Sequence, residues 1–115
     1  MRLFHIFIII ASVSAMSACG GFSVEEQASK VLERARLHLT DGRYDAARDS
    51  ILSMRRRFPT ALETRAQGIL LLDSVEMVAA RDSMGGATGE EWKRLSVKAR
   101  FFERKLQEDH MKLNK

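Results

Sequence analysis

Few side chains in this sequence stand where they could do chemistry together. Its only thiol is Cys19. The three histidines, His5, His38 and His110, are scattered, with no HExxH spacing and no Cys/His set that would hold a metal. No serine lies in a Gly-x-Ser-x-Gly elbow. The stretch "SMGGATGE" is glycine-rich but lacks the Gly-Lys-Ser/Thr of a phosphate loop, so it reads as a linker between helices. Glu25-Glu26 and Glu90-Glu91 stand where helices begin, and there the helix dipole favours acids. The sharpest charge cluster is Arg55, Arg56 and Arg57. At a helix C-terminus it complements the dipole; the alternative is contact with an anionic surface such as phospholipid or lipopolysaccharide. Asp73 interrupts the apolar run "GILLLDSVEMVAA" and is expected on a narrow solvent strip or paired with an arginine. These residues imply no enzyme, no metal and no cofactor.

The surroundings of Cys19 say more than the thiol itself. Residues 1 to 18 open with Arg2, continue through an apolar run from Leu3 to Ile10 broken only by His5, and end in small residues. That is the layout of a secretory signal peptide. Leu3 to Ala18 is 16 uncharged residues, several of them serine, which is short of the ~20 a spanning helix needs. The end of the leader, Met16-Ser17-Ala18-Cys19, resembles the lipobox of bacterial lipoproteins, with Met16 in place of the preferred Leu. The resemblance implies cleavage before Cys19 and lipid on its sulfur, which ties the mature chain to a membrane without a spanning helix. Residues 19 to 23 then form a tether. Gly20, where Asp often marks inner-membrane retention in that family, favours the outer membrane of a bacterial envelope.

Beyond the tether the chain has room for one small domain, residues 24 to 115. Ala, Arg, Leu, Glu and Lys dominate, and only one proline is present, so helix is favoured throughout. No strand-like alternation occurs, and the expected fold is all-α. The net charge is +4, to which Arg2 contributes one, and the two signs are interleaved, so nucleic acid is not an expected partner. A first helix is expected over residues 23 to 39, with Ser23 and Glu26 at capping-box spacing and Val24, Ala28, Val31, Ala35 and Leu39 on its apolar face. Gly42 ends it. A second covers 44 to 58 and stops at Pro59. A third covers 60 to 81, and its almost all-round apolar character predicts burial on several sides.

After the linker at 82 to 89, a terminal helix covers about 90 to 113. Trp92, Leu95, Ala99, Phe102, Leu106 and Leu113 form its seam, which Asp109 breaks. That seam either caps the domain or pairs with the same helix of a second copy, giving a homo-dimer. Phe101 lies off it, packing on the third helix or marking a contact surface.

The stretch "ASKVLERARLHLTDGRYDAARDSILSMRRRFP" resembles a tetratricopeptide repeat. Ala35 and Ala47 take its small positions, Gly42 and Tyr44 its turn, Ile51 and Met54 the large apolar positions of its second helix, and Pro59 the closing proline. Residues 28 to 61 span one repeat of about 34 residues. Arg34, His38 and Met54 depart from the usual Leu, Tyr and small residue. The resemblance implies antiparallel helical hairpins: a repeat-like pair over 24 to 61, a long helix over 62 to 81, and the terminal helix. It also implies a protein-binding groove on the first pair, lined from Val31, Arg34 and His38. The expected protein is a non-enzymatic, lipid-anchored envelope protein that binds another protein.

Overall fold

A computed structural model describes residues 23 to 114; the leader, Cys19 and Gly20 lie outside the described residues. Four helices make up the fold: α1, Val24–Thr40; α2, Tyr44–Arg57; α3, Leu62–Met84; and α4, Gly89–Leu113. Among the described residues there is no strand, so the fold is all-α. Two antiparallel hairpins, α1–α2 and α3–α4, meet through α3, which packs on each of the other three helices. That position explains why α3 is apolar nearly all round: a helix with neighbours on three sides has almost no water-facing strip. No described helix is long and apolar enough to cross a membrane.

Local chemistry sets the helix ends. Ser23 Oγ accepts the Glu26 N–H at 3.1 Å, the cap that their spacing predicts. Gly42 takes φ +74° in the turn after α1, a conformation that costs glycine little. Phe58 and Pro59 end α2, and residues 59 to 61 form a turn, so α3 starts at Leu62, where the repeat-like division puts it, two residues after Thr60. It also runs on to Met84, three residues past Arg81, until Gly85 and Gly86 end it.

The core lies among the first three helices. Ala28, Leu32, Ala35, Ala47, Ile51, Met54, Ala61 and Val75 are wholly buried, with Val31, Leu39, Tyr44, Phe58, Leu71 and Leu72 packed around them. Small residues let the backbones approach. A Cβ on Gly68 would come within 2.7 Å of Met54 Cε and 3.6 Å of Ile51 Cγ2. The apolar face of α1 is turned slightly from the expected one. Leu32 is wholly buried, while Val24, in the first turn, is 44% exposed. Because α2 and α3 both cover α1, the buried stripe widens to take in Leu32.

Through its seam, α4 lies against α3 alone. Leu95 and Ala99 are buried, and Phe102 and Leu106 partly so. Trp92 and Leu113, expected on the seam, stand near its two ends and are largely exposed. Asp109 does not break the seam. It is half-buried on it and meets a second carboxyl from α3 there.

Candidate binding cleft

Because α4 docks on α3 only, it leaves α2 across an open cleft of about 530 Å³ floored by α3. Its apolar walls come from Leu52 of α2, Ile69 and Leu72 of α3, and Phe102 of α4. Six charged groups share it: Arg48 and Arg55, Asp73 and Glu76, Lys105 and Asp109. Helical spacing puts each pair on one face of its helix, seven apart on α2, three apart on α3 and four apart on α4.

Most of these charges neutralise one another across the helices. Arg48 Nε bonds Glu76 Oε1, and its Nη1 lies 2.7 Å from Asp45 Oδ1. Lys98 Nζ of α4 reaches Glu76 Oε2 at 3.6 Å. Lys105 Nζ lies 3.3 Å from Asp73 Oδ1 and donates to Asp109 Oδ2 at 2.7 Å. Asp73 is thus neither on a solvent strip nor paired with an arginine. It is 3% exposed, its main partner is a lysine from a helix over thirty residues away, and its Oδ2 has no hydrogen-bond partner. Burial pushes the Asp73 carboxyl up to about 6, and the hydrogen bond with Asp109 adds to this. Asp109 moves the other way, below the usual carboxylate range, because Asp73 and Lys105 both bond to its charged form. The two acids therefore divide one proton unequally, with Asp73 holding it the longer.

Arg55 lines the same cleft without an ion pair among the described residues. Arg56 and Arg57 are exposed beyond it, and the Arg57 guanidinium carbon lies 5.1 Å from the centre of the Phe58 ring. The expected binding residues on α1 are elsewhere. Arg34 is exposed, Val31 packs against the core, and His38 is partly buried with its Nδ1 unpartnered. Spacing of three and four residues puts all three on one face of α1, away from the cleft. Sequence reasoning singled out Asp73 and Arg55 but not Arg48, Glu76 or Lys105. The available signal was their recurrence at helical spacing, and it reads the same for any solvated face.

Chemically, the cleft offers an unpaired cation and apolar walls beside the Lys105–Asp73–Asp109 cluster. Among the described residues no three His, Cys, Asp or Glu side chains are grouped to hold a metal ion. Compared with known proteins, the chain matches no protein family, no curated protein and no solved structure.

Proposed function

We propose that this chain is a membrane-anchored, non-enzymatic bacterial envelope lipoprotein whose helical domain binds another protein. The anchor rests on Met16-Ser17-Ala18-Cys19, and Gly20 favours the outer membrane. The observation that carries the binding role is the cleft between α2 and α4. Its apolar walls suit an apolar side chain, and Arg55 suits an acidic group. The repeat-like character of α1–α2 supports the same role, with Val31, Arg34 and His38 as a second contact face.

A photoreactive residue at Leu52, in the cleft, and another at Arg34, on α1, test the site in living cells. Adducts of one discrete mass from position 52 are expected. Adducts from position 34 alone move the site to α1, and none from either position removes the binding role. Separately, Cys19→Ser is expected to lose palmitate label and leave the membrane fraction.

A second reading has an observation of its own. Glu25, in the first turn of α1, bonds Glu63 and Thr64 at the start of α3, so the chain enters the domain at that end. The last turn of α2 reaches the same end through the turn at 59 to 61, so exposed Arg56 and Arg57 lie at the end where α1 begins. There Arg55 to Arg57 would hold an anionic surface. Replacing the three by Gln is then expected to weaken binding to lipopolysaccharide in a salt-sensitive way, and unchanged binding rejects this reading.

A further inference from the structure

One face of α4 is occupied by α3, and the opposite face carries a second row. Positions 97, 101, 104, 108 and 111 recur at spacings of four and three, directly opposite Leu95, Phe102 and Leu106. Val97 is 65% exposed, Phe101 57% and Met111 63%. Phe101 meets Phe102 edge-on, with ring centroids 5.1 Å apart, and still turns most of its surface outward. Exposed apolar residues scattered singly need no explanation. Val97 and Phe101, one turn apart, with Met111 beyond Arg104 and Glu108 in the same row, span about 21 Å of a helix whose seam is already filled.

The charges around this row say what covers it. Lys93, Arg94, Arg100, Arg104 and Lys112 lie on the same half of the helix, against Glu90 and Glu108. Lys93 is paired with Glu90 and Arg94 with Glu91, whereas Arg100 and Arg104 have no ion pair among the described residues. A second copy pairing through this row, parallel or antiparallel, would set basic flank against basic flank; Lys98, Lys105 and Lys93 already hold carboxylates, but Arg100 and Lys112 have no ion pair among the described residues. An anionic surface turns the same charges into attraction while taking in the apolar row. We propose that the outward face of α4 (Val97, Phe101 and Met111 among Arg94, Arg100 and Arg104) lies on an anionic phospholipid membrane surface.

The proposal rests on the anchored reading for its geometry. Only four residues separate Cys19 from Val24. Because α3 and α4 are antiparallel, the Met111 end of α4 lies toward the start of α3, the end where the chain enters. On that reading the Met111 end of α4 lies at the anchored end of the domain, while α1, with Arg34, makes no contact with α4.

The test uses the full-length protein purified with its lipid, in phosphatidylcholine vesicles with and without phosphatidylglycerol. Trp92 is the only tryptophan, so Trp92→Phe with Phe101→Trp places one reporter on the row, and Trp92→Phe with Arg34→Trp supplies the control. Circular dichroism first confirms that each variant keeps its helix content. With brominated lipids, tryptophan at 101 is expected to be quenched and blue-shifted in the anionic vesicles only. Salt, or Gln at 94, 100 and 104, should reverse this, and tryptophan at 34 should stay unquenched. An unquenched reporter at 101, or equal quenching in neutral vesicles, overturns the proposal. So does lipid-free shielding that grows with protein concentration, which would mean a second copy. Flotation with neutral vesicles and the mass at Cys19 report the anchor separately, so its failure is distinguished from failure at α4.

Discussion

Asp73 is the residue whose protonation the domain must manage. Its carboxyl is held up to about 6 chiefly because burial disfavours the charged form, against an ordinary 3.8. Between these values the folded chain holds a proton that the unfolded chain has released. Stability from this group therefore falls as pH rises from about 4 to about 6. Asp73→Asn is expected to abolish that slope, a change of up to about 3 kcal/mol across the window. Denaturant titrations of both proteins at pH 4 and pH 7 measure it, and a slope that survives in the variant assigns it to another group. Gly68 sets a different local condition. Adding a methyl group there needs only the flexible end of Met54 to move, and the helix itself gains from Ala. Gly68→Ala is expected to be close to neutral, whereas Gly68→Leu overpacks the site and costs roughly 1–3 kcal/mol. Thermal unfolding of the two variants separates these outcomes.

Among the elements, α3 takes its N-terminal cap from another helix. Ala61 has no side chain to cap it. The cap comes from α1 instead. Glu25 accepts the Glu63 and Thr64 N–H groups, each at 3.1 Å, and the Thr64 hydroxyl at 2.6 Å. The Thr64 hydroxyl, foremost, holds the Glu25 carboxyl below its ordinary range. This contribution is present above that range and is lost as pH falls through the lowered value. Glu25→Gln keeps the shape but weakens the charge-assisted bonds. It is expected to lower the Tm at neutral pH by a few degrees and to lose less stability than the wild type on acidification. Equal acid sensitivity in both proteins would show that Glu25 is not the group responsible. In the sequence, Glu25 reads only as an acid in the first turn of its own helix. Its cap on α3 depends on a contact 38 residues away.

For the whole molecule, the arrangement around α3 decides which part opens first. The first three helices share a cluster of wholly buried residues, while α4 adds Leu95 and Ala99 and the ion pairs Lys105–Asp73, Lys98–Glu76 and Arg81–Glu103. With less buried apolar surface, α4 is expected to open at lower free energy than α1–α2. Native-state hydrogen exchange should show weaker protection for Leu95 to Leu106 than for Leu32 or Ile51. Equal protection would mean that the domain opens as one unit. Docking on α3 alone also leaves the cleft between α2 and α4 open.

The sequence alone determined what depends on near neighbours along the chain. Apolar spacing, the Ser23 cap, Gly42 and Pro59 set four helices in order to within a few residues, because helix signals act within a turn or two. The all-round apolar character of α3 also foretold its burial on several sides. Only the tertiary structure decided how the helix faces were used. It turned Leu32 inward, and it placed Asp109 on the seam beside Asp73 rather than across it as a break. It also joined Arg48 with Glu76 and left Arg55 unpaired in the cleft. Each of these turns on which helix lies opposite, and a charged residue at helical spacing looks the same in sequence whether it meets water or a distant carboxylate.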